Sequence, residues 1–310
     1  MGPELRHLRY LIAVAEHGSF TRAADELRIS QPTLSQQIKQ LERAVGVQLL
    51  DRSGRGVRPT DAGEVYVRHA RRALRELAAA DRAVLDVADL SQGHLRLAMT
   101  PTFTAYLVGP LARELRTRHP GIILEVREMT QDRIEASLLA DELDLGIAFG
   151  GDHLSGIVAV PLFTETLGLV VTTRRPDTRT GRPVPVRELA GQQLALLSSD
   201  FATRNHIDRY FARHRVSPPI AVEADSVQAL TEIVQRTDRL ATVLPEAVTD
   251  DHPHLTPVPV DPPLPTRVAT LLRRESAYES AAARAFTRLT HALVRERGYA
   301  PAGPCHDVPD

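Results

Sequence analysis

The chain has 310 residues, 43% of them apolar and 25% charged, a composition that supplies two or three cores and belongs to a globular protein. No run of eighteen apolar residues occurs, so no membrane-spanning helix is expected, and a single cysteine excludes an internal disulfide framework and a multi-cysteine metal site. The formal net charge of −1 is unevenly spread: residues 1–60 hold nine Lys+Arg against six Asp+Glu, net +3, whereas the remainder holds 29 against 33, net −4.

The basic end is a weak pointer to nucleic acid, because Lys39 is the only lysine and so strong a preference for arginine reflects codon composition before function. Leu5, Leu8, Leu11, Ile12 and Ala15 recur at helical steps, interrupted by Arg6, His7 and Arg9, and no small-residue cleavage site follows. A first helix is therefore predicted rather than a secretory signal, and with it a cytoplasmic location. Gly18 ends that helix. Ser19 caps a short second one, Thr21 to Leu27, whose Ala23 and Ala24 allow close approach. After Arg28-Ile29, Ser30 is the expected N-cap of a third helix with Pro32 in its first turn, where a missing N–H costs nothing.

On the third helix Leu34, Ile38, Leu41 and Val45 form the core face, and Pro32, Gln36, Lys39, Gln40 and Arg43 lie opposite, flanked by Gln31 and Ser35. Four glutamines and one lysine are thus expected on the outside. A glutamine amide offers a donor and an acceptor in one plane, which suits adenine's major-groove edge, and serine suits a base or a phosphate. The turn after it, Leu49 to Arg58, has two glycines and three arginines, the composition of a β-hairpin wing that grips phosphate or the minor groove. The run GSFTRAADELRISQPTLSQQIKQLERAVGVQLLDRSGRGVRPTDAGE resembles the N-terminal winged helix-turn-helix domain of LysR-type transcriptional regulators, with no insertion over some forty residues. Leu50 stands where that family often has Phe, and Pro59 where it often has Leu. The resemblance implies contact with double-stranded DNA through Thr21, Ser30, Gln31, Pro32, Thr33, Ser35, Gln36 and Lys39, with Arg52 or Arg55 on the wing.

From Thr60 the chain has no proline until Pro101. Tyr66, Ala70, Ala73, Leu77, Ala80, Val84 and Val87 alternate steps of four and three, a coiled-coil seam rich in alanine. The alternative is an amphipathic helix packed on its own domain. The resemblance favours dimerisation, two chains on an inverted-repeat operator and two dimers in a homotetramer, with a contact to RNA polymerase and no membrane partner. Arg68, Arg71, Arg72 and Arg75 fall off the seam and read as a solvated face, the alternative being that one of them touches the DNA backbone.

After Gly93 apolar runs alternate with helical stretches. HLRLAMT, IILEVREM, LDLGIAF, LALLSS, IAVEAD, LATVLP and RVATLLRR are predicted strands. PLARELRTRHP, QDRIEASLLADE, ATRNHIDRYFARH, SVQALTEIVQRTD and Ser280 to Arg297 are predicted helices. Such alternation implies parallel sheets covered by helices. The expected α/β organisation is a winged helix-turn-helix domain at 1–60, a linker helix at 61–91 and a two-lobed effector domain with Rossmann-like lobes at 92–299. Lobe I is 92–164 and 267–299, lobe II is 165–266, and 300–310 is a disordered tail. This agrees with the family's effector module, which resembles periplasmic binding proteins.

No G-x-S-x-G elbow, P-loop, G-x-G-x-x-G after a strand or H-E-x-x-H helix occurs, so neither an enzyme nor a cofactor is expected. His252 and His254 lack a third ligand and read as surface residues. A pure solute-binding module would leave the first ninety residues without a purpose. The hydroxyl-rich turns Thr100 to Thr104, Met129-Thr130-Gln131 and Ser198 to Thr203 sit at strand ends, where ligands bind in such folds, although any one hydroxyl is equally well a helix cap. The family's cleft implies effector contacts at Thr100, Thr102, Phe103, Thr130, Phe149, Ser198, Ser199 and Thr203. No arginine lies in the first or third of these turns, which suits a small monovalent anion better than a dicarboxylate. Within the family, LAMTPTFTAYLVGPL, EMTQDRIE, DELDLGIAF, SSDFATRNHID and VLPEAV are similar to regulators of bacterial cyanate-utilisation operons, which implies cyanate as inducer and an activating role.

Overall fold

The caps predicted from serine, proline and glycine are in place throughout the N-terminal segment. A computed structural model describes residues 2–53, 56–88, 93–175 and 182–302; the side chains at 75, 79 and 81–88 lie outside this description. Helix α1 (Leu5–His17) stops at Gly18, whose φ of 58° is the left-handed conformation that favours glycine. The Ser19 hydroxyl accepts from Arg22 N ahead of α2 (Phe20–Glu26). Ser30 does the same for Thr33 N ahead of α3 (Gln31–Val45), at 3.3 Å. Leu11, Val14, Ala23, Ala24, Leu34, Ile38 and Leu41 close the core between the three helices.

The wing is β1 (Leu50–Asp51) antiparallel to β2 (Arg58–Pro59), and Leu50 faces Pro59, so the two departures from the family pattern are partners. Arg55 lies outside the described residues. Helix α4 (Asp61–Ala88) begins where Thr60 Oγ1 accepts from Gly63 N and donates to Gln48 O. Gly63 is obligatory there: a Cβ would stand 1.9 Å from Leu49 O. Of the predicted seam, Tyr66 and Ala70 pack within this same unit, beside Val67. Ala73, Leu77 and Ala80 are exposed, and the side chains of Val84 and Val87 lie outside the description. Among the described seam side chains, the intramolecular alternative thus holds for Tyr66 and Ala70.

The chain divides into two units, Met1–Ala88 and Asp89–Asp310. The second starts with β3 (Gly93–Met99), α5 (Pro101–Arg118), β4 (Ile122–Glu128), α6 (Gln131–Leu139) and β5 (Leu145–Phe149), where β3 pairs in parallel with β4 and β5. Then β6 (Ile157–Thr172) leads to β7 (Val184–Pro185), a 3-10 turn at Val186–Gly191, β8 (Leu194–Leu197), α7 (Ala202–His214), β9 (Ile220–Ala224) and α8 (Val227–Arg236). Last come β10 (Thr242–Pro245), a 3-10 turn at Glu246–Asp251, β11 (Leu255–Val258), β12 (Val260–Asp261), β13 (Thr266–Arg274), α9 (Ala281–Glu296) and β14 (Ala300–Pro301).

Two lobes share β6. Its first part pairs with β13, up to Thr166 opposite Thr266; from Leu167 it pairs with β10 and then β11. Strands β8 and β9 are parallel neighbours in lobe II. Each lobe is therefore mixed rather than all-parallel, because the crossing strands run antiparallel to their neighbours.

Three expectations need correction. Helix α5 starts at Pro101, nine residues before the predicted Pro110, because Phe103, Leu107, Leu111 and Leu115 bury one continuous stripe that outweighs Pro110 inside the helix. Strand β6 is absent from the predicted set. Pro161 and Gly168 interrupt its alternation, and its two ends bury different faces in different lobes. Finally, the expected tail begins inside the fold: Ala300 faces Thr164 and Pro301 faces Phe163, with Thr164 Oγ1 donating to Pro301 O at 3.1 Å. Residues 303–310, with Cys305, lie outside the described residues.

Candidate nucleic-acid interface and effector cleft

The outward face of α3 is built by what its inward face buries. Leu34, Ile38 and Leu41 are fully buried, and this fixes Gln31, Pro32, Thr33, Gln36, Lys39 and Arg43 in solvent, with Ser35 half-buried. Thr21 at the start of α2 is also exposed. Ser30 and Thr33 are partly engaged with each other, their hydroxyl oxygens 2.7 Å apart, so capping already uses part of their hydrogen-bonding capacity. One glutamine differs from expectation. Gln37 turns inward, where its Oε1 lies 3.0 Å from Nε2 of the buried His7. Glu4 N donates to His7 Nδ1, which leaves Nε2 as the donor to Gln37. Three amides, not four, remain outside.

Arg52 also has an internal role. Its Nη2 donates to Glu42 Oε2 at 3.2 Å, and its guanidinium lies 4.8 Å from the Phe20 ring centre. Glu42 Oε1 accepts from both Leu49 N and Leu50 N, so one carboxylate ties α3 to the wing strand and to Arg52. An arginine held in this way is part of the wing's attachment.

In the second unit the predicted effector residues separate into two groups. Thr100, Thr102 and Thr203 are buried, as are Phe103 and Phe149; Thr130 and Ser199 are exposed and Ser198 is half-buried. Thr100 precedes α5, and its Oγ1 is buried without a hydrogen-bond partner. Thr102 of lobe I and Thr203 of lobe II meet with hydroxyl oxygens 3.5 Å apart. The rings of Phe103 and Phe149 are 4.8 Å apart, and Phe149 N donates to Gln131 Oε1 at 3.3 Å, which ties the α6 turn to the same wall.

Three residues missing from the predicted set, Arg267, Glu165 and Tyr106, complete this cluster. Arg267 on β13 donates from Nη1 to Thr203 Oγ1 at 2.7 Å, sits 4.0 Å from the Phe149 ring centre, and pairs with Glu165 on β6. The Tyr106 hydroxyl donates to Glu165 Oε1 at 2.7 Å, and burial, then the carboxylate's charge, push its pKa well above the ordinary value. His206 has its pKa lowered, chiefly by burial, with the Arg267 charge adding to it. The available signal was positional, since the chain is expected to cross between lobes near Thr164 and Arg267.

A cavity of about 400 Å³ is lined by Pro101, Thr104 and Glu128 from lobe I and by Ser226, Gln228, Thr231 and His252. A larger open groove of about 680 Å³, bordered by Arg174, Gln192 and Arg239, lies on lobe II away from the buried hydroxyls. It is a surface feature. The smaller cavity adjoins the start of α5, but none of the eight predicted effector residues lines it; the buried hydroxyl cluster is packed separately from it. Among the described residues no helix is long and apolar enough to cross a membrane, and no cluster of three His, Cys, Asp or Glu could hold a metal ion.

Comparison with known proteins matches residues 5–64 to the bacterial regulatory helix-turn-helix protein of the lysR family, and residues 88–295 to the LysR substrate binding domain. The nitrogen assimilation regulatory protein nac of Klebsiella aerogenes is 34% identical over 244 residues, 78% of either chain. The DNA-binding transcriptional dual regulator OxyR of Escherichia coli K12 is 31% identical over 230 residues, 74% of this chain and 75% of that one. A full-length OxyR from Pseudomonas aeruginosa, carrying a cysteine-to-aspartate substitution, superposes with a TM-score of 0.70 at 24% identity, covering 98% of this chain and all of that one. Full-length CbnR complexed with its target DNA gives 0.53 at 24% identity, covering 94% and 99%. At that identity the two structures speak for the fold.

Proposed function

The chain belongs to the LysR family of DNA-binding transcription regulators, and from that premise we propose how its parts divide the work. Gln31, Pro32, Ser35 and Gln36 read base edges in the major groove, with Thr21, Thr33 and Lys39 on neighbouring bases or phosphates. The observation that carries this is the pair of solvent-facing amides, Gln31 and Gln36, on a helix whose other side is fully buried. Two chains pair through Ala73, Leu77 and Ala80 of α4, continuing to Val84 and Val87. That pairing sets two α3 helices on an inverted repeat, and two such dimers form the working tetramer, which contacts RNA polymerase and activates transcription in the cytoplasm.

The effector is a small molecule received between the lobes at Thr100, Thr102 and Thr203, and cyanate is the first to test. Support comes from the resemblance of the strand-end runs to regulators of cyanate utilisation. The nitrogen-assimilation role in the name of the Klebsiella relative is compatible with a nitrogen-containing effector. A second reading, another small anion or neutral solute in the same cleft, shares every structural argument. Peroxide sensing by a disulfide within one chain needs two cysteines, and this chain has one.

The test begins with selection of binding sites from random DNA by the full chain. Enrichment of an inverted repeat supports α3 reading and α4 pairing; enrichment of single, unpaired half-sites sinks the pairing. Affinity for the selected site is then measured with and without cyanate. A change must be mirrored by an equal change in cyanate affinity when DNA is present, because coupling is reciprocal. No change with cyanate but one with another small solute selects the second reading.

A further inference from the structure

Glu165 and Arg267 stand opposite each other in the register of β6 and β13, beside the point where β6 changes from one lobe's sheet to the other's. Both side chains are 2% exposed. Arg267 touches two of the residues proposed for the effector, Thr203 of lobe II at 2.7 Å and the Phe149 ring of lobe I. A guanidinium is a two-pronged receptor for carboxylates, and an unpaired one inside a protein is strongly unfavourable. Here one prong is filled by the chain's own carboxylate, itself held by the Tyr106 hydroxyl at 2.7 Å. Of its three guanidinium nitrogens, Nη1 is engaged by Thr203 and Nη2 by Glu165, and Nε is buried without a partner. His206 adds no second cation, since its burial and the nearby Arg267 both favour the neutral imidazole.

We propose that Glu165 is a specificity determinant: by occupying Arg267 with a carboxylate of the protein itself, it limits the effector to neutral or singly charged small molecules and keeps dicarboxylates out. This rests on the effector reading of the cleft and names the charge class of its ligand. It also predicts that a neutral residue at position 165 turns the cleft into a carboxylate receptor.

The experiment uses the full chain, Glu165→Gln and the double variant Glu165→Gln/Arg267→Gln. Thermal unfolding is followed while sodium acetate or malonate replaces sodium chloride at constant ionic strength. Glu165→Gln is expected to bind acetate about tenfold tighter than the wild type and to gain a saturable response to malonate, and the double variant to lose both gains. If Glu165→Gln folds only when acetate is present, that rescue is the same positive result. Three outcomes overturn the proposal: a folded Glu165→Gln with the wild-type response, a Glu165→Gln that stays unfolded at every acetate concentration, or a double variant that keeps the gain. The readout involves neither DNA nor cyanate. A wild type whose DNA binding ignores every small solute would sink the effector reading without touching this result.

Discussion

On α3 the groups proposed to meet DNA stand outside the fold, and few of them hold anything else: Gln31, Gln36 and Lys39 are exposed over a face of fully buried leucine and isoleucine. In the cleft the groups proposed to meet the effector are inside and already hold one another, through Thr102–Thr203, Thr203–Arg267, Arg267–Glu165 and Glu165–Tyr106. The contrast follows from what each partner brings. DNA arrives as a large preformed surface that a rigid helix can meet from outside. A small effector must be surrounded, so its receptor is part of the core, where an unpaired polar group is costly; most of these groups hold a partner, Thr100 Oγ1 and Arg267 Nε being the exceptions. Recognition should therefore separate from stability on α3 and be inseparable from it in the cleft.

The largest test of that contrast is Arg267→Ala. Among the described residues it leaves Glu165 buried with the Tyr106 hydroxyl as its side-chain partner, and removing one member of a buried pair costs about 3–5 kcal/mol. Urea unfolding, read by hydrogen exchange in peptides of β13 and α7, should show that loss in the second unit and none in α1 to α3. A loss below about 1 kcal/mol would mean that the pair is far better hydrated than its burial implies. Next is Gly63→Ala. The added methyl would fall 1.9 Å from Leu49 O, backbone against backbone, and such overpacking costs about 1–3 kcal/mol. The same exchange measurement should place this loss in the first unit alone.

The two regions were also unequally legible in the sequence. In the first unit the determinants are local: Gly18, Ser19, Ser30 and Pro32 each act on the turn they occupy, so helix starts and the first stop followed from residue chemistry. What escaped there was long-range: the inward turn of Gln37 toward His7 and the capture of Arg52 by Glu42. In the second unit the cleft is long-range throughout, with Thr102 meeting Thr203 and Glu165 meeting Arg267 across roughly a hundred residues. Strand-end hydroxyls could be named from alternation of strand and helix. Which of them would be buried, and which charge would join them, depends on β6, and its alternation is broken by Pro161 and Gly168.

Two neighbouring amides on α3 sharpen the comparison at smaller energies. Gln36→Ala should leave stability within about 0.5 kcal/mol and lose about 1–3 kcal/mol of base discrimination at one operator position, read by selection from random DNA. Gln37→Ala should do the reverse. It leaves the buried His7 without its acceptor, costs about 1 kcal/mol of stability and leaves site preference unchanged. A changed base preference in Gln37→Ala would show that the α3–α1 contact, not the exposed face alone, sets the reading geometry.

Arg52→Ala carries the smallest expected effect and decides between two roles for the wing. If the arginine's main task is phosphate contact, its removal weakens binding to all sequences and lowers the salt slope of DNA affinity by about one. The structure gives it a different task. Its guanidinium is shared between Glu42 and the Phe20 ring, with 30% of the side chain exposed. A half-exposed ion pair with a ring contact is worth about 1 kcal/mol to the fold. Glu42 would still hold Leu49 N and Leu50 N in the variant, so the wing should stay attached, only less firmly. The expectation is a modest stability loss with the salt slope retained, and a slope that falls without loss of stability would return Arg52 to the phosphate backbone.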